Sequence, residues 1–127
     1  MCTRATIAVE DPETREIKSI YLHFDGEGAA AKLKKHYKDI AKANRLIELG
    51  NLSSLGKEIG KVRYCDPKQA DQTVAYGRDL GEQNTEAITY HTWQDFIASD
   101  RQKYTYIYKE GQWCLVYGGT QKTILPG

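Results

Sequence analysis

Two runs near the start of the chain alternate apolar and polar side chains, and only a short polar cluster separates them. In residues 3–10, Ala5, Ile7 and Val9 fall on one face, with Arg4, Thr6 and Ala8 on the other. In residues 17–24, Ile20, Leu22 and Phe24 face one way, and Ser19, Tyr21 and His23 the other. A period of two marks a strand with one buried face. Between the runs, Asp11-Pro12-Glu13-Thr14-Arg15 is a turn cluster in which Pro12 fixes φ. The pattern predicts an antiparallel hairpin. Arg4, Tyr21 and His23 would then share the face opposite the main apolar stripe.

The hairpin constrains the segment after it. Gly26-x-Gly28-x-x-Ala31 imitates a dinucleotide fingerprint between strand and helix. That motif needs a parallel strand back after one crossover helix, whereas here the strand is already half of a hairpin and more helix comes next. A helix from Ala29 carries Leu33, Tyr37 and Ile40 inward. Asp39 caps a second helix, which buries Ala43, Leu46 and Ile47 and stops at Gly50. Residues 51–56 read as a tight connector with one helical turn, and residues 57–72, with Pro67, as a long surface loop. Residues 86–90 form a short strand. Thr92 caps a brief helix over residues 93–99, with Asp95 at the N3 position and Phe96 and Ile97 buried. Residues 104–108 and 113–117 make a second hairpin around Lys109-Glu110-Gly111-Gln112. Residues 117–127 read as a loose tail, or one that reaches a neighbouring subunit.

The expected fold is α+β, a single domain over residues 1–127. Its antiparallel sheet comes from the N- and C-terminal hairpins, joined through a central strand and packed on one face by the two helices of residues 29–50. Ile7, Val9, Ile20, Leu22 and Phe24 should meet Leu33, Tyr37, Leu46 and Ile47.

Composition narrows the function classes. Cys2, Cys65 and Cys114 are odd in number, far apart and without Cys-x-x-Cys spacing, so neither a zinc site nor a disulfide framework is indicated. A reducing cytoplasm fits best. No run approaches a membrane span, and the N-terminus has no signal-peptide core. The net charge of +1 hides a basic segment, residues 28–68, where ten Lys/Arg stand against four acids. Such a segment attracts phosphates by its field, but one solvated helix face explains it equally well. Binding to duplex nucleic acid is not expected.

Val74-Ala75-Tyr76-Gly77-Arg78-Asp79-Leu80-Gly81-Glu82 holds the densest chemistry. An apolar run enters it, and two glycines bracket an Arg-Asp pair. Glycine lets backbone approach a ligand, and a guanidinium forks onto phosphate. On the functional reading Arg78 holds a phosphate, Asp79 takes ribose hydroxyls and Tyr76 offers an aromatic face. The bland reading is a strand ending in a turn whose Arg78 and Asp79 pair with each other. Elsewhere, Tyr104, Tyr106 and Tyr108 share one strand face, as good β formers or as stacking platforms for bases. His23-x-Asp25-x-Glu27 suggests a divalent metal, but no second cluster of comparable density supports it. No nucleophile-base arrangement can be argued, so the chain does not read as an enzyme, and no cofactor is expected.

Several strings resemble a group of small proteins encoded by phages and prophages. They are Thr3-Arg4-x-Thr6-Ile7, Ser19-Ile20-Tyr21-x-His23-x-Asp25-Gly26, Leu52-Ser53-Ser54-Leu55-Gly56-x-Glu58-Ile59-Gly60 and Tyr76-Gly77-Arg78-Asp79-x-Gly81-Glu82, together with the aromatic hairpin. They span most of the chain. The chain departs from the group after Asp25-Gly26, where an aromatic-proline step before the helix is missing. Within that group it resembles the anti-Thoeris proteins, sponges that withhold cyclic nucleotide-like immune signals from a host effector. The resemblance implies a cytosolic, non-enzymatic binder that works as a homo-oligomer. It assigns no residues one by one. The candidate ligand-binding residues are therefore chemical inference: Arg4, Tyr21, His23, Asp25, Tyr76, Gly77, Arg78, Asp79, Glu82 and Trp93. Two alternatives stay open, a protein-binding inhibitor of a host defence complex, and a small hydrolase or transferase using His23, Asp25 and Glu27.

Overall fold

A computed structural model describes residues 4–24, 26, 28–59, 72–99, 104–117 and 120–123. The expected hairpins are both present. β1 (Ala5–Glu10) pairs antiparallel with β2 (Ile17–Leu22). β6 (Tyr104–Lys109) pairs antiparallel with β7 (Gln112–Tyr117). Three shorter strands extend the sheet at its flanks: β3 (Leu52–Ser54), β4 (Val74–Ala75) and β5 (Ile88–Tyr90). With β8 (Thr120–Thr123), the order is β4-β3-β2-β1-β6-β7-β8, and β5 pairs with the outer half of β2.

The junction between the hairpins differs from expectation. The sequence pattern makes Val74–Ala75 the joining strand, yet β4 lies at an edge. The hairpins meet directly, β1 running parallel to β6 with Ala5 beside Tyr104 and Val9 beside Tyr108. Parallel pairs occur where both sheet faces are covered, and every residue of β1 is buried. It is therefore not the half-buried strand its alternation suggested.

One face is covered by α1 (Ala29–His36) and α2 (Ile40–Glu48), as expected. Asp39 caps α2 by accepting from the Lys42 N–H at 2.7 Å. Ala5, Ile7, Val9, Ile20 and Leu22 pack there with Leu33, Tyr37, Leu46 and Ile47. Each large aliphatic buried this way contributes about 1.5–3 kcal/mol. The opposite face carries a second core under α4 (Trp93–Ser99), where Phe96 meets Ala8, Ile17, Ile107 and Cys114. Ala8, assigned to a polar face by alternation, is buried because α4 lies over it.

Four further expectations are corrected. Ile40, expected inward on the first helix, opens α2 instead and is exposed. Residues 51–56 contribute strand β3 rather than a helical turn, because their backbone pairs with β2 and β4. Phe24 leaves the apolar stripe: β2 ends at Leu22, and Phe24 is 44% exposed. Residues 120–123 pair with β7 instead of forming a loose tail. Most of the expected 57–72 loop lies outside the described residues; at its ends, Glu58 bridges to Gln72 in parallel.

The aromatic hairpin serves the core. Tyr106 and Tyr108 are buried, and their hydroxyls donate to the carbonyls of Gly26 (2.8 Å) and Lys38 (2.9 Å). Trp113 Nε1 donates to the Tyr37 carbonyl at 2.8 Å. These bonds tie the ends of α1 to the hairpin, so Tyr106 and Tyr108 are not open platforms for bases.

Candidate functional site

The candidate residues fall into three places. Arg4 and the side chains that end β2 make the first. Arg4 is exposed and precedes Ala5, whose partner across the ladder is Leu22, so it stands at the same end of the sheet as His23. The Tyr21 hydroxyl and His23 Nδ1 are 2.6 Å apart. Phe24 also packs on the imidazole, with ring centroids 4.5 Å apart at 83°. Asp25 lies outside the described residues.

The second place is α3 (Tyr76–Leu80), a five-residue helix directly after β4. Here Arg78 and Asp79 face each other. Arg78 Nε and Nη2 each donate to one carboxylate oxygen of Asp79 at 2.9 Å, and Nη2 also donates to the Thr73 carbonyl at 3.0 Å. The Ala75 N–H donates to Asp79 Oδ2 at 2.8 Å. The Asp79 side chain is 1% exposed and that of Arg78 23%. A buried, forked pair with added backbone bonds is a clamp that fixes the strand-to-helix turn. Its free capacity is Nη1, which makes no bond among the described residues.

The two glycines have local causes. A Cβ on Gly77 would stand 2.6 Å from Thr85 Oγ1, so the position must be small for α3 to pack on the adjoining loop. Gly81 takes φ +70 and ends α3, its N–H donating to the Gly77 carbonyl. A left-handed backbone at a helix end is a glycine role. Tyr76 and Gly77 are half-buried, and Glu82 is exposed.

Asn51 joins these first two places. Its side-chain oxygen accepts from the Tyr21 N–H at 2.9 Å, and its carbonyl accepts from the Tyr76 N–H at 3.1 Å. Its own N–H donates to the Thr85 carbonyl at 2.7 Å. The side chain fills the gap between β5, which pairs with Ile17–Ser19, and β3, which pairs with Leu22. Sequence reasoning missed Asn51 and placed Phe24 in the core. The available signals were an amide immediately after the Gly50 stop, and an aromatic immediately before the Asp25-Gly26 turn.

Trp93 belongs to neither place. It packs on Phe96 with centroids 5.8 Å apart, and Lys109 Nζ sits 5.4 Å from its ring centroid. Lys109 ends β6, whereas Arg4 stands near its beginning, roughly 16 Å away along the strand. At that far end Glu10 is buried and receives Arg15 Nη1 at 3.0 Å, with Lys109 Nζ at 3.6 Å. The structure thus places Arg4 at the same end of the sheet as the Tyr21–His23 pair, links that end to α3 through Asn51, and leaves Trp93 apart.

Positive charge gathers around the end of α1. Partial desolvation first, and then the charges of Lys35, Lys57 and Lys42, hold His36 below the ordinary imidazole range. Lys42 Nζ donates to the Lys57 carbonyl at 3.3 Å and lies over the Tyr37 ring. Burial pushes the Tyr37 hydroxyl above its usual value. Among the described residues no group of three or more His, Cys, Asp and Glu is placed to hold a metal; Asp25 and Glu27 lie outside them. No helix among the described residues is long and apolar enough to cross a membrane. In comparison with known proteins, no family model matches the chain, and neither a curated protein nor a solved structure does.

Proposed function

We propose that the protein is a non-enzymatic binding module that sequesters a cyclic nucleotide-type immune signal, either a cyclic ADP-ribose isomer or a cyclic oligonucleotide. The carrying observation is the Tyr21–His23 pair, 2.6 Å apart at the end of the sheet that also bears Arg4. A cation, an oriented imidazole and aromatic rings are the groups a nucleotide needs: charge for phosphate, a hydrogen-bonding edge and a stacking face. The resemblance to anti-Thoeris proteins supplies the ligand class and the cytoplasmic setting. Sequestration needs tight binding and slow release, with no bond made or broken. The working form in this proposal is a homo-oligomer, which adds binding surface beyond one small chain.

A second reading draws on Phe24, Ile40, Leu80 and Ile88, large apolar side chains left exposed. These suit a protein-binding inhibitor of a host defence complex, because buried apolar anchors carry much of an interface's energy. One experiment separates the readings. The purified chain is incubated with cyclic dinucleotides, cyclic trinucleotides and cyclic ADP-ribose isomers, filtered, denatured and analysed by mass spectrometry. Intact ligand released on denaturation supports sequestration. Altered ligand marks an enzyme, and no retention favours the protein-binding reading.

A further inference from the structure

Phe24 is exposed on an unusually well-held piece of backbone. β2 ends at Leu22, yet the His23 N–H donates to the Leu52 carbonyl at 3.0 Å and the Phe24 N–H to the Ser53 carbonyl at 2.9 Å. β3 therefore fixes both residues past the end of the strand. The His23 ring has two neighbours, the Tyr21 hydroxyl at Nδ1 and the Phe24 ring. A phenol is a stronger acid than a neutral imidazole N–H, so the hydroxyl is assigned as donor to Nδ1. That leaves the ring proton on Nε2. His23 is half-buried, and Nε2 has no partner among the described residues. Folding gains little from this arrangement: Phe24, 44% exposed, contributes little burial, and the oriented donor meets no acceptor among the described residues.

We infer that Tyr21, His23 and Phe24 form a nucleotide shelf. A nucleobase stacks on the open Phe24 ring, and an acceptor of the same ligand takes the His23 Nε2–H. This rests on the sequestration reading and narrows its site to the end of β2, with α3 as support rather than contact. The acceptor is a phosphate oxygen or a base ring nitrogen. Because the backbone is already fixed by β3, ordering the site costs little at the moment of binding. Tyr21 acts through His23 as a positioning residue, holding the tautomer that presents Nε2–H.

Calorimetry with cyclic ADP-ribose, cyclic di-AMP, AMP and adenosine tests the shelf on the full chain and its Phe24→Ala, Phe24→Trp and His23→Ala variants. Phe24→Ala should weaken binding at least fivefold, roughly the lower end of a base stack. Phe24→Trp should bind as well as the parent or better, and neither Phe24 change should move the melting temperature appreciably. His23→Ala should weaken AMP binding by a comparable factor. AMP binding more tightly than adenosine supports the shelf and gives the Nε2–H to phosphate; equal binding supports it and gives the N–H to the base. Parent affinity retained in both Phe24→Ala and His23→Ala overturns the shelf and leaves sequestration standing. A parent chain that binds none of the four overturns the sequestration reading, and the shelf with it.

Discussion

At Asp79 a carboxylate with 1% exposure takes a backbone N–H and two guanidinium N–H groups. Removing it strands all three donors. Asp79→Ala should therefore cost about 3 kcal/mol, the scale for leaving a buried charge partner uncompensated, read as a lowered denaturant midpoint. Arg78→Ala should also lower the melting temperature, while ligand retention by the folded fraction survives; loss of retention at unchanged melting temperature would return Arg78 to the ligand. Gly77→Ala pushes a Cβ to 2.6 Å from Thr85 Oγ1 and should cost about 1–3 kcal/mol, the usual scale of overpacking. Adding Thr85→Ala should recover part of that loss, a non-additive pair visible in a double-mutant cycle. The composition of this segment was legible in the sequence, but its meaning was not. Gly, Arg and Asp in a row describe a ligand cradle and a self-paired turn equally well. Only the direction of the guanidinium, onto Asp79 and the Thr73 carbonyl, separates them.

Strands and helices were more legible than their partners. The period-two runs and the Asp39 and Thr92 caps located both hairpins, α2 and α4, because these signals are local. What escaped was long-range. β1 pairs with β6 across about a hundred residues, β3 is only three residues long, and Phe24 is exposed because β2 stops two residues earlier. Asn51 shows the cost of such gaps: Asn51→Ala leaves the Tyr21 N–H without its acceptor and should destabilise by about 1–3 kcal/mol. At the end of α1, His36 gives a pH signature. Its folded pKa lies below the unfolded value of about 6.5, so the unfolded chain binds the proton more readily. The stability this contributes is present above about pH 6.5 and is lost as pH falls below it. His36→Gln should flatten that acid limb in a series of urea melts. Tyr37 has the opposite sign: burial raises its pKa, so its contribution holds below about pH 10 and is lost as pH rises further.

The described residues form one sheet with a core on each face, and few of their large apolar side chains stay outside. The aromatic hairpin directs Tyr106, Tyr108 and Trp113 into the protomer's own core. Among the described residues, Phe24, Ile40, Leu80 and Ile88 are the large apolar side chains exposed for contact between copies. Light scattering at micromolar concentration should give a multiple of 14.4 kDa; a 14.4 kDa particle that ligand does not enlarge would argue for a monomeric binder. The central claim is that this fold holds a nucleotide signal without changing it. The measurement that meets it most directly is retention: the chain is mixed with cyclic ADP-ribose isomers and cyclic oligonucleotides, filtered, washed and denatured, and the released material is weighed by mass spectrometry. One of these compounds should come back intact, near one equivalent per site, and Phe24→Ala should release much less at the same protein concentration. Recovery of a cleaved product, or of no nucleotide at all from folded protein, would contradict the claim.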